Sequence, residues 1–71
     1  MKVEVFKTNV QWPKEANRIV TSLTKKLNNA KINFDLEDCD KILRIEGTDK
    51  YKNKYIMSYL NRLGYSCEIL D

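Results

Sequence analysis

The chain has 71 residues, of which 42% are hydrophobic and 32% charged, with a formal net charge of +3 and no histidine. This length predicts a single domain, residues 1–71. The composition excludes a disordered chain, and no apolar run approaches the roughly 18 residues of a membrane span. The N-terminus alternates charged and apolar residues where a signal segment would be continuously apolar, so we expect a cytoplasmic protein.

The first predicted strand contains Val3 and Val5, which alternate with Lys2 and Glu4 and so indicate one buried face. Pro13 is well placed in the first turn of the helix that follows. The helix is predicted by apolar residues at helical spacing, namely Ala16, Ile19, Val20, Leu23 and Leu27. We expect it to end at residues 28–29.

Residues 32–36 alternate apolar and polar side chains and predict a second strand. Residues 37–40 form a polar turn, and residues 43–46 predict a third strand that Gly47 closes.

Thr48 or Asp49 is a suitable N-cap for a second helix. Its apolar stripe consists of Ile56, Leu60 and Leu63, with Tyr55 and Tyr59 alongside. Gly64 is predicted to end this helix, with Tyr65 folding back on its last turn, and residues 66–70 predict a short closing strand. The order strand, helix, strand, strand, helix, strand predicts a ferredoxin-like α+β fold: a four-stranded antiparallel sheet in the order 4-1-3-2 with both helices on one face.

Four segments, in this order and spacing, resemble heavy-metal-associated domains of the copper-chaperone type: residues 6–10, 32–37, 40–45 and 63–65. The resemblance implies a loop after the first strand that carries a Cys-x-x-Cys motif, whose thiolates would bind a soft ion such as Cu(I). In this chain the two positions fall on Trp12 and Glu15, and a register shifted by one places Pro13 and Ala16 there. We therefore expect that the thiolate metal site has been lost, that no metal binds and that no cofactor is needed.

Cys39 and Cys67 do not replace that motif in our interpretation. The topology places them near opposite edges of the sheet, about three strand spacings apart, too far to share one ion. We expect Cys67 to lie in the core and Cys39 to be exposed in an acidic turn. Cys39 from two chains meeting across a dimer is the alternative that would retain metal binding or trafficking.

Trp12 is the main candidate for an interaction residue, because binding surfaces are enriched in tryptophan. We expect Phe6 and Ile42 to point to the open face of the sheet, near Trp12 and Tyr65. These four residues would form an apolar patch that docks a protein partner or a second copy of the chain. The alternative is that the Trp12 indole folds over the end of the core.

We do not expect an enzyme, because the chain lacks histidine, a glycine-rich phosphate loop and an evident pair of carboxylates. Six lysines are predicted to gather at the end opposite Trp12, namely Lys25, Lys26, Lys31, Lys50, Lys52 and Lys54. We interpret them as a solvated basic rim, and the alternative is a surface that attracts acidic partners or nucleic acid. Residues 5–10 are similar to the first strand of an RNA-recognition motif. The third strand, however, lacks the aromatic residues that stack on bases. We therefore do not expect nucleic-acid binding, and an RNA-binding module is the weakest alternative.

Overall fold

The computed structural model describes residues 3–27, 30–47 and 52–70. The six elements are β1 (Val3–Thr8), α1 (Pro13–Lys26), β2 (Lys31–Asp35), β3 (Ile42–Glu46), α2 (Lys52–Arg62) and β4 (Cys67–Ile69). The strands form one antiparallel sheet in the order β2-β3-β1-β4. This is the predicted order 4-1-3-2 read from the other edge, so the α+β fold predicted from the sequence is confirmed.

The strand registers show which side chains share a face of the sheet. Phe6 lies opposite Leu43 of β3 and Ile69 of β4, and Phe34 of β2 lies opposite Leu43. Side chains directly opposite each other in a sheet point to the same face. Phe6 and Leu43 both belong to the core that α1 and α2 cover, so all four side chains point to the helical side.

Both helices contribute their apolar stripes to this core. Ala16, Ile19 and Leu23 of α1 are buried, as are Ile56 and Leu60 of α2. Leu27, directly after α1, is also buried, and its amide donates to the Leu23 carbonyl at 2.8 Å. The predicted end of α1 at residues 28–29 and the predicted N-cap at Thr48 or Asp49 lie outside the described residues.

Helix α2 ends as the sequence predicts. Gly64 has φ +97°, in the left-handed region that glycine adopts without steric cost. The Gly64 amide donates to the Asn61 carbonyl and the Tyr65 amide donates to the Leu60 carbonyl, both at 3.0 Å. This pair of bonds is a Schellman motif, and it turns the chain from α2 toward β4.

Among the described residues, neither helix has the length and apolar character that crossing a membrane requires.

Candidate functional site at the Trp12 end

Three connecting segments meet where β1 ends: residues 9–12, residues 36–41 and residues 63–66. The Thr8 amide donates to the Asp40 carbonyl at 3.0 Å, which joins β1 to the turn between β2 and β3. The Ser66 amide donates to the Asn9 side-chain oxygen at 2.8 Å, which joins the loop after β1 to the segment before β4. We call this part of the molecule the Trp12 end.

The loop that carries Trp12 is anchored in the core on its β1 side. Thr8 is only 5% exposed, and its hydroxyl donates to the Lys41 carbonyl at 2.5 Å. The same hydroxyl accepts a longer bond, 3.3 Å, from the amide of Val10. Val10 is fully buried. The backbone is therefore held in place up to two residues before Trp12.

Trp12 is the N-cap of α1, and its side chain is exposed. Its backbone is extended, with φ −109° and ψ 134°, and its carbonyl accepts the first helical hydrogen bond, from the Ala16 amide at 3.0 Å. The side chain makes no capping bond and is 63% exposed. The alternative in which the indole folds over the end of the core is therefore wrong.

Glu15 lies in the first turn of α1, where a carboxylate is stabilised by the helix dipole. Tyr65 is partly buried as a residue, and its hydroxyl lies within hydrogen-bonding reach of this carboxylate. Burial raises the pKa of Tyr65, and the hydrogen bond to Glu15 and its negative charge raise it further, while Arg18 opposes the change. This contact connects the segment after α2 with the start of α1.

A groove of about 340 Å³ runs between the two helices beside this pair. It is lined by Glu15, Arg18, Ile19, Tyr59, Leu63 and Tyr65. Leu63 is 48% exposed, so this groove adds accessible apolar surface to the Trp12 end.

The predicted apolar patch of Trp12, Phe6, Ile42 and Tyr65 does not form. Phe6 has no exposed surface, because it points to the helical side and packs in the core. Ile42 alternates with the core residues Leu43 and Ile45 along β3, but it is only 7% exposed. Trp12 and Tyr65 do lie at the same end of the molecule, as predicted.

The positions that the family resemblance assigns to metal ligands do not fit a soft cation. Trp12 offers an indole, which is not a metal ligand, and the Glu15 carboxylate accepts the Tyr65 hydrogen bond. Cu(I) favours soft sulfur ligands, thiolate or thioether, and neither position supplies one. The shifted register, Pro13 and Ala16, supplies no side-chain donor atom.

The two cysteines have different environments. Cys67 is 6% exposed in the core opposite Thr8, and burial, with a smaller contribution from Glu68, raises the pKa of its thiol to about 12. Cys39 is exposed, and its sulfur lies within 4.8 Å of carboxylate oxygens of Asp38 and Asp40. Both predicted environments are confirmed.

The turn around Cys39 is already bonded by protein groups. The Asp38 carboxylate accepts the Asp40 amide at 2.8 Å, and the Lys7 ammonium lies 3.8 Å from the Asp40 carboxylate. The Lys41 ammonium donates to the Leu36 carbonyl at 2.8 Å. Two ammonium groups therefore compete with any cation for this turn.

Four of the six lysines predicted at the opposite end have described side chains: Lys25, Lys26, Lys31 and Lys54. All four are exposed, and the Lys26 ammonium lies 5.6 Å from the centre of the Tyr59 ring. Lys50 and the side chain of Lys52 lie outside the described residues.

Sequence reasoning missed Thr8 and Asn9, the residues that fix the loop. Both lie in residues 6–10, which the sequence analysis used only for resemblances to other domains. The one signal in the sequence was Thr8 itself. It is a polar residue on the strand face opposite that of its exposed neighbours Lys7 and Asn9.

Comparisons of the chain with models of protein families, with curated proteins and with solved structures found no match.

Proposed function

We propose that this chain is a non-enzymatic binding domain, similar to a heavy-metal-associated domain without its thiolate site, that acts by protein contact through Trp12. The observation that carries the proposal is the 63% exposed indole at the end of a loop fixed by Thr8, Asn9 and Val10. An anchored loop loses little conformational entropy when a partner binds it.

The chemistry of the Trp12 end supports a protein partner. Tryptophan is enriched among residues that dominate binding energies, because its large apolar surface is desolvated in the complex and its N–H can still donate. The groove beside Glu15 and Tyr65, with exposed Leu63, offers further surface for a partner side chain. A protein partner and a second copy of the chain both fit this surface.

The test compares Trp12→Ala with Tyr55→Ala, since Tyr55 is another exposed aromatic, 44% accessible, located on α2. Sedimentation equilibrium of the wild type and both variants measures self-association. Affinity enrichment with quantitative mass spectrometry from the source cells finds other partners, and each partner is then purified and titrated. We expect Trp12→Ala to weaken the complex about 30-fold or more, with Tyr55→Ala close to wild type.

Both substitutions are at exposed positions, so the free energy of unfolding should change by no more than about 0.5 kcal/mol. If the chain is monomeric and its partners bind both variants equally well, Trp12 is not the contact residue.

A second candidate function, metal binding through Cys39 across a dimer, is favoured by one observation. The thiol and the carboxylates of Asp38 and Asp40 lie within 4.8 Å of one another, and two copies would supply two thiols. Zn²⁺ would suit this mixed sulfur and oxygen donor set. Zinc-dependent dimerisation that Cys39→Ser abolishes would support this candidate, and a monomer at all zinc concentrations would exclude it.

A further inference from the structure

Charge is distributed unevenly between the helices and the rest of the chain. The segments α1 and α2 contain seven of the 13 Lys and Arg residues but only one of the ten Asp and Glu residues, Glu15. The rest of the chain therefore has six cationic and nine acidic residues. The modest net charge of +3 conceals a strongly basic helical layer and an acidic remainder.

The exposed side of α1 presents several cationic and hydrogen-bonding side chains. A shallow groove of about 500 Å³ is lined by Lys14, Asn17, Arg18, Thr21, Ser22 and Lys25. Lys14 and Lys25 are eleven residues apart, or about 16 Å along a helix, and Arg18 lies between them. Hydroxyl and amide groups fill the intervals between the three cations. We call this surface the α1 basic groove.

The neighbouring surface of α2 has the same character. A smaller depression of about 110 Å³ is lined by Lys26, Tyr55, Ser58, Tyr59 and Arg62. Lys54, directly before Tyr55, is also exposed. Among the described residues, the linings of these two depressions contain no Asp or Glu, and the single carboxylate of the helices, Glu15, lines the separate groove beside Tyr65.

These residue types match the contacts that proteins make with phosphodiester backbones. Arg and Lys, assisted by Ser, Thr, Asn and Tyr side chains, supply most hydrogen bonds to phosphate oxygens. An exposed tyrosine among cations also stacks on the bases of a single strand. A membrane surface fits less well, because the α1 basic groove has no apolar side chain in its lining to insert into lipid. An acidic protein also fits less well, because none of the residues that line the groove is an apolar or aromatic anchor of the kind found at the centre of protein interfaces.

We infer that the basic helical surface of α1 and α2 binds the phosphodiester backbone of nucleic acid without reading its sequence. This surface differs from the open sheet face that an RNA-recognition motif uses, where the strands in the described part of the chain present no aromatic side chain. Binding here depends on the helices and not on Trp12.

The experiment measures fluorescence anisotropy of a fluorescein-labelled oligothymidylate titrated with the intact chain at several KCl concentrations. A Kd of about 10⁻⁴ to 10⁻⁶ M near physiological salt is expected, and it should rise steeply as salt is added. The test variant is Lys14→Gln/Lys25→Gln. The matched control is Lys7→Gln/Lys31→Gln, which removes the same charge from exposed lysines on the open face of the sheet.

Loss of two phosphate contacts should make the slope of log K against log salt shallower by about 1.4 for the test variant. The control should keep the wild-type slope, and Trp12→Ala should bind like wild type. Equal weakening in the test variant and the control would overturn the inference, because it would reduce binding to net charge. If polyglutamate displaced the labelled oligonucleotide as effectively as unlabelled oligonucleotide does, the inference would be overturned, because the surface would then bind an acidic protein. Absence of binding at low salt would also overturn it.

Discussion

Phe6 is the largest side chain that is fully enclosed in the described part of the molecule. It lies on the central strand β1, opposite Leu43 on one side and Ile69 on the other, beneath both helices. Dispersion contacts on all sides and the transfer of an aromatic ring out of water make such a residue costly to truncate.

Phe6→Ala should therefore lower the free energy of unfolding by about 3–5 kcal/mol, a large share of the stability of a 71-residue chain. Val3→Ala, on the same strand but 48% exposed, should cost far less, near the 0.5 kcal/mol typical of surface positions. Urea denaturation followed by circular dichroism measures both. Similar losses in the two variants would contradict the orientation of β1.

The sequence of β1 shows why its orientation was predicted incorrectly. Val3 and Val5 lie on one face, and Phe6 alone is the large apolar residue on the other. By the number of apolar residues, the face of Val3 and Val5 would be predicted as the buried one. The volume of the Phe6 ring and its position opposite Leu43 instead determine which face is buried. The local alternation of apolar and polar residues does not show which residue of another strand lies opposite, or how large that residue is.

Cys67 makes stability depend on pH in the alkaline range. The thiol has a pKa of about 12 in the folded chain, against 9.0 for an ordinary thiol. Above pH 9 the unfolded chain loses this proton and the folded chain keeps it, so the unfolded state is favoured as pH rises. The contribution is fully present below pH 9 and is lost toward pH 12.

We predict that this thiol alone lowers the free energy of unfolding by about 1.4 kcal/mol between pH 8 and pH 10. Cys67→Ala should show a smaller alkaline loss than wild type by that amount, since its core position no longer titrates. Cys39→Ala, which removes the exposed thiol, should retain the wild-type pH dependence. Identical pH profiles for all three proteins would contradict the burial of Cys67.

At the scale of the elements, the loop between β1 and α1 owes its shape to a buried hydroxyl. Thr8 donates to the Lys41 carbonyl and accepts from the Val10 amide. These bonds connect β1, the loop and the start of β3. Removing the hydroxyl would leave a buried carbonyl and amide without this partner, which costs more than the bond itself contributes.

Thr8→Val, which preserves the shape of the side chain, should lower the free energy of unfolding by about 1–3 kcal/mol. Thr24→Val is the control: its hydroxyl also bonds a backbone carbonyl, that of Val20, but at an exposed site. It should change stability by about 0.5 kcal/mol or less. Chemical denaturation of both variants gives the comparison, and a Thr8→Val variant as stable as wild type would show that the loop is not anchored by this residue.

Local sequence signals predicted the elements better than the site. Glycine at position 64, proline at position 13 and the apolar periodicity of both helices report on neighbours in the chain, so the order of elements and the end of α2 were predictable. The Trp12 end is held by bonds between residues far apart in sequence, such as Asn9 with Ser66. Residue type and position in the chain indicated exposure of Trp12 as one of two possibilities, and the order of elements placed Trp12 and Tyr65 at one end of the molecule.

On the scale of the whole molecule, two surfaces have separate chemistry. The Trp12 end presents an indole on an anchored loop, while the exposed sides of α1 and α2 present cations and hydrogen-bond donors. Substitutions that remove charge from the helices and substitutions that truncate Trp12 should therefore weaken binding to different partners. Arg18 and Tyr59 line depressions at both places, so the two proposals are separated by Trp12→Ala and Lys14→Gln/Lys25→Gln, which change residues of only one surface each.

We propose that the start of α1 contacts protein and does not coordinate a soft metal. Competition between the reduced protein and a chromogenic Cu(I) chelator tests it most directly, with Cys39→Ser and Trp12→Ala measured alongside. Because Trp12 and Glu15 offer an indole and a tied carboxylate, we predict that the protein removes no Cu(I) from the chelator. The proposal would be contradicted if wild type and Cys39→Ser both captured Cu(I) stoichiometrically and the capture were lost when the Trp12 loop is altered.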